Sequence, residues 1–176
     1  MQNPDELRQR MTAHLKEQSS KDLAEITAQV REDWGKLLDS VKGLSAAQAN
    51  FHPSPDDYSV DQVMRHITLA SEKYHERIAA LVSGSAVDVH SVAGGLTEGD
   101  ARTFPQALEA FQKVAQDVLS SVERGDHVAN LDLTSRHNFF GPLNWREWLV
   151  LLAYHARDHL QQVEAIKAAP SFPKPM

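Results

Sequence analysis

In four separate stretches of this chain, apolar residues return every third or fourth position. That period leads to helices packed through their apolar stripes. Leu23, Ile26, Val30, Trp34, Leu37, Leu38 and Val41 mark the first stretch, and Val63, Ile67, Ala70, Tyr74, Ile78 and Leu81 the second. Leu108, Phe111, Val114, Ala115, Val118 and Val122 mark the third. The fourth carries Trp148, Leu152, His155, His159, Val163 and Ile166, so two histidines share a stripe with core residues.

The ends of these helices are also written locally. Gly43 is suited to terminate the first. Ser45 and Gln48 have the spacing of a capping box for a short helical turn, and the two prolines of His52-Pro53-Ser54-Pro55-Asp56-Asp57 make that run a linker. Ser59 and Gln62 form a second capping box, opening a helix to about Val82. Pro105 suits the first turn of the third helix, which Gly125 ends, and Asn144-Trp145-Arg146-Glu147 caps a fourth that runs to about Ala168. Residues 1–20 are polar and suit a loosely attached N-terminal helix, and the proline-rich tail from Pro170 to Met176 should dock or fray. Ser83 to Arg102 is too long for a tight connection, and Asp126 to Gly141 holds alternating pieces, Val128, Leu131 and Leu133, that suit extended backbone. The expectation is one domain over residues 1–176, an all-α bundle of four main helices with long inter-helix loops after the second and third.

A chain of 176 residues can bury one sizeable core. Its formal charge of −6, with no long Lys/Arg cluster, argues against nucleic acid or an anionic membrane as a general partner. The absence of cysteine removes disulfides, thiolate metal sites and a cysteine nucleophile together. Met1-Gln-Asn-Pro-Asp-Glu lacks the basic-then-apolar order of a secretory signal, and Trp148 to Tyr154 falls far short of the ~20 apolar residues that span a bilayer. A soluble, cytoplasmic protein is expected.

His155 and His159 are four residues apart, so on a helix they lie about 40° apart on one face and can reach a common point. Two imidazoles on a core stripe are costly unless their nitrogens find partners, and a divalent metal satisfies both at once. His66 follows Val63 on the buried side of the second helix and supplies a third inward nitrogen. Three nitrogens from facing helices leave a coordination position open, as catalytic centres require. Imidazole suits zinc, nickel, copper or ferrous iron; zinc or nickel is the expected ion, with iron or manganese as alternatives. His75, nine residues past His66, should face away, and His14, His90 and His127 fall in surface segments. His52 and His137 lie in loops near helix starts, from which they can approach the site. The run His155-Ala156-Arg157-Asp158-His159 lacks the glutamate of the H-E-x-x-H zinc proteases, and Asp158 is a poor match to the acid of the inverted pattern. Asp158 is either a helix-surface acid or the one carboxylate available as a catalytic or substrate-contacting residue.

Tyr58-Ser59-Val60-Asp61-Gln62-Val63-Met64-Arg65-His66 resembles the start of the second helix in DinB-like (YfiT-like) proteins. Asn144-Trp145-Arg146-Glu147-Trp148 followed by His155-x-x-x-His159 resembles that family's last motif, and the stretch from Leu44 to Pro53 its connector. Tyr58 stands where tryptophan is commoner. The resemblance, over about Leu23 to Ile166, implies an up-up-down-down four-helix bundle, often a homodimer, with a divalent metal on the three histidines. Family members include S-transferases using bacillithiol or mycothiol, and maleylpyruvate isomerases.

The expected chemistry is metal activation of a small nucleophile, water or an external low-molecular-weight thiol, for attack on a small-molecule substrate. Ser83 to Arg102 and His137 to Leu143 are placed to shape the pocket, and Arg136, Arg146 and Arg157 are candidates to hold an anionic group. A metal-dependent hydrolase and a non-enzymatic, stress-related metal-binding protein are the alternatives.

Overall fold

The computed structural model describes residues 3–85, 101–125 and 130–174. Six helices are formed among them: α1 Pro4–Ser19, α2 Leu23–Val41, α3 Ala46–Ala49, α4 Val60–Val82, α5 Phe104–Gly125 and α6 Trp145–Lys167. Strands β1 Ser135–His137 and β2 Gly141–Leu143 pair antiparallel, with His137 opposite Gly141 and Ser135 opposite Leu143. The expected extended pieces thus occur later than Leu131 and Leu133, and Val128 lies outside the described residues. Leu131 is exposed, so it has no buried face to hold in a sheet.

The capping residues act as their spacing requires. Ser45, Ser59 and Asn144 each accept from the backbone of the first helical turn, and Gln48, Gln62 and Glu147 each bond back to the cap backbone N–H. Past α2, Lys42 is extended and Gly43 has φ 75°, with Leu44 N–H returning to Val41 O at 3.4 Å. That is a type II turn, and its third position demands glycine.

The helices enclose one core in which Val30, Leu37, Val63, Met64, Ile67, Ile78, Phe111, Val118, Trp148, Leu149 and Val163 are fully buried. Cross-helix contacts give the directions. Asp33 meets Arg157 and Ser40 meets Lys167, so α2 and α6 run parallel. Thr68 meets Ala107 and Val82 meets Gly125, so α4 and α5 also run parallel. His66 meets His159 while Tyr74 meets Trp148, so α4 opposes α6. The four-helix bundle is as expected, but its helices run up, down, down, up rather than up, up, down, down. Residues 42–59 turn the chain back at one end of the bundle, whereas the end of α4 and the start of α5 lie at opposite ends of it.

A fifth long helix, α1, lies antiparallel along α6. Leu15 is buried, Arg146 Nε donates to Ser19 O at 2.9 Å, its guanidinium also bonds Lys21 O, and Tyr154 OH meets His14. The tail docks: Phe172 packs edge-on against Phe51, and Gln48 Nε2 donates to Pro173 O at 3.0 Å. Among the described residues no helix is long and apolar enough to cross a membrane.

Candidate metal centre

Residue 66 is reached one and a half turns into α4, and residues 155 and 159 stand on consecutive turns of α6. Because α4 and α6 are antiparallel neighbours, these turns meet. One nitrogen from each of His66, His155 and His159 lies within 4.8 Å of the others. Ring centroids are 4.5 Å apart for His155 and His159, 4.9 Å for His66 and His159, and 5.5 Å for His66 and His155. The two Nε2 atoms of the α6 pair are 3.0 Å apart. Two nitrogens bound at ~2.0–2.1 Å to one tetrahedral ion stand roughly 3.3 Å apart, so this spacing fits a shared cation.

The protonation of the cluster also fits. Burial, followed by the neighbouring His159, His66 and His137, pushes His155 down to about 3. His159 is lowered as well, chiefly by burial, with Gln162 acting in the opposite sense. Both therefore present neutral imidazole near neutral pH, the form that binds metal. His159 Nδ1 stands 2.8 Å from Gln162 Oε1; donating there, it turns the Nε2 lone pair toward the other two rings. His155 Nδ1 is buried and has no hydrogen-bond partner among the described residues. A half-buried cluster of three imidazoles with an orphaned ring nitrogen is an expensive way to fill a core and a suitable way to hold an ion.

The remaining histidines divide as follows. His75 faces α5, where its Nε2 meets Ser121 Oγ at 3.1 Å. His14 lies on α1, and His52 is exposed with Nδ1 on Asp57 O at 2.8 Å. His90 and His127 lie outside the described residues. His137 approaches the centre, with its ring 5.4 Å from Trp148 and 6.3 Å from Tyr74, and Tyr74 in turn 5.7 Å from His155. Burial, then the Arg77 charge, pushes His137 down to about 4.

Asp158 is exposed on the outer side of α6 and contributes no atom to the cluster. Arg157 is committed to the buried Asp33 at 2.8 Å, Arg146 to the backbone of residues 19 and 21, and Arg136 is exposed on β1. Three residues beside the cluster escape a reading of the sequence. Tyr74 counts there as an ordinary core position, yet its ring neighbours both His155 and His137. Gln162 is three residues past a histidine, which puts it within reach of that ring on a helix. Arg77 is buried with its guanidinium carbon 5.2 Å over the Trp148 ring, and its eleven-residue offset from His66 places both on one face of α4.

A model of the DinB superfamily matches residues 29–163. Among solved structures, TT2238, described as a four-helix bundle protein, is similar with a TM-score of 0.63 and 20% identity, covering 81% of this chain and 98% of its own. YfiT from Bacillus subtilis, described as a probable metal-dependent hydrolase with an unusual four-helix bundle topology, gives a TM-score of 0.66 and 12% identity, covering 82% of this chain and 85% of its own. At these identities the likeness is one of fold. No curated protein matches the chain significantly in sequence.

Proposed function

This chain belongs to the DinB superfamily, and from that premise we propose that it is a divalent-metal-dependent enzyme acting on a small electrophilic molecule. The observation that carries the reading is the convergence of one imidazole nitrogen from each of His66, His155 and His159 within 4.8 Å at the α4–α6 seam. A zinc or nickel ion bound there supplies Lewis-acid activation of a small nucleophile, either an external low-molecular-weight thiol or water. The chain itself has no cysteine, so a thiol must come from outside it.

The protein's own part is positional. His66 comes from one helix and the other two ligands from its antiparallel neighbour, so relative sliding of α4 and α6 is what the site is built to resist. Gln162 holds the His159 ring, while Tyr74, Trp148 and His137 wall one flank with aromatic surface. Transfer to a thiol is the first reading. Hydrolysis is the second, favoured by the description of YfiT. A stress-related metal-binding protein without turnover is the third.

Metal content of the purified protein, as isolated and after incubation with zinc or nickel, tests the centre. One ion per chain is expected in the wild type and none retained by His159→Ala; a wild type without stoichiometric metal overturns the proposal. With the centre established, incubation with an electrophile in the presence and absence of bacillithiol separates the readings. Thiol-dependent consumption supports transfer, turnover without thiol supports hydrolysis, and no turnover leaves the binding protein. We further propose a homodimer, for which sedimentation should give twice the chain mass of 19.6 kDa.

A further inference from the structure

His137 ends β1, and the hairpin turns immediately after it. Its Nδ1 lies 3.1 Å from the backbone N–H of Phe139 and 3.2 Å from that of Phe140. A backbone N–H can only donate, so the nitrogen facing both must carry its lone pair. The neutral ring then bears its proton on Nε2. The ring itself is clamped 4.9 Å from Phe140 and 5.4 Å from Trp148, and is only partly buried. Among the described residues nothing takes the Nε2 proton.

Resting on the metal-centre reading, we infer that His137 is a positioning donor, whose Nε2–H holds an oxygen acceptor of the substrate, a carbonyl or carboxylate, beside the metal centre. Several observations converge on this. The Tyr74 ring neighbours both His137, at 6.3 Å, and His155, at 5.7 Å, which places the donor within a small molecule's length of the cluster. The contacts that fix the ring also bar it from serving as a fourth ligand. Ligation through Nε2 would need the proton moved to Nδ1, where it would face two N–H groups. The adjoining walls, Tyr74, Trp148 and Phe140, are aromatic, so a donor among them gains strength from the low local polarity and discriminates strongly between an oxygen and a methylene.

Nitrogen-15 NMR of the metal-free protein reads the tautomer of His137 directly, and Nε2–H is expected; Nδ1–H overturns the inference. Two variants then test the role. His137→Asn keeps an oxygen acceptor for the turn and withdraws the distal N–H, whereas His137→Phe keeps the ring stacking. Circular dichroism should show both helical, and both should bind zinc within about twofold of wild type. With zinc-loaded protein, acetate serves as the probe, and its affinity should fall roughly tenfold in each variant, the usual effect of one hydrogen bond in a shielded site. Zinc affinity falling more than roughly 100-fold in both variants would make His137 a ligand and overturn the donor role, for loss of a ligand's neighbour costs about 10–100-fold at most. Acetate bound equally by all three proteins, or by none, overturns the donor role alone. A wild type that takes up no zinc overturns the metal centre and this role with it, an outcome distinguishable because the tautomer is read without metal.

Discussion

Gln162 touches neither core nor substrate space, yet its oxygen decides which nitrogen of His159 faces the other imidazoles. Replacing it by leucine leaves the ring free to turn or to carry its proton on the wrong side. Zinc affinity of Gln162→Leu should therefore fall roughly 10–100-fold, measured by competition with a chromogenic chelator. The melting temperature of the metal-free protein should change little, since Gln162 is only partly buried. At this scale the clustering of the three histidines was legible because helical phase is a property of spacing alone. His66, His155 and His159 point inward whatever surrounds them. Gln162 was not legible, because a glutamine three residues past a histidine is ordinary on a helix surface. His52 and His137 were indistinguishable as loop residues, for a loop has no period, and only the hairpin brings the second to Tyr74 while the first bonds Asp57.

Gly125 illustrates the difference between an element's end and its packing. It stands at the end of α5, where its lack of side chain reads as a terminator, but it is the last helical residue and not a left-handed cap. A Cβ built there would lie 1.7 Å from Val82 Cγ1 and 3.2 Å from Val82 Cβ, so its absence is what lets the ends of α4 and α5 touch. Gly125→Ala should destabilise the fold by about 1–3 kcal/mol in chemical denaturation, because a stiff β-branched neighbour cannot swing away. At the start of α6, Asn144 Oδ1 accepts from the N–H groups of both Arg146 and Glu147, each at 3.0 Å. Asn144→Ala should cost about 1 kcal/mol in the same assay. Capping residues are legible because the bonds they make are local. Gly125 is not, since the Val82 side chain that needs the room arrives from a helix whose direction the sequence leaves open. The same holds for the helix order: stripes and caps locate α2, α4, α5 and α6, but which neighbours run parallel depends on links that carry no periodic signal.

Over the whole molecule, two partly buried neutral histidines make the metal-free protein sensitive to acid. In the unfolded chain both titrate near 6.5, whereas in the fold His155 is held down to about 3 and His137 to about 4. Between those limits the unfolded chain binds more protons, so stability falls as pH drops below about 6.5 and is unaffected by these groups above it. Melting temperatures of the metal-free protein from neutral to acid pH should show this fall, and His137→Phe should show a shallower one. The antiparallel seam of α4 and α6 has a consequence for how the protein is made. Its three clustered histidines come from opposite halves of the chain, so a nascent polypeptide still lacking its last helix presents one imidazole out of three. A cation bound as proposed would need all three, so it could not guide the early collapse and would bind only after the final helix has docked. Its effect would then fall on the rate at which the finished protein comes apart, much as a latch is thrown only once a door has closed.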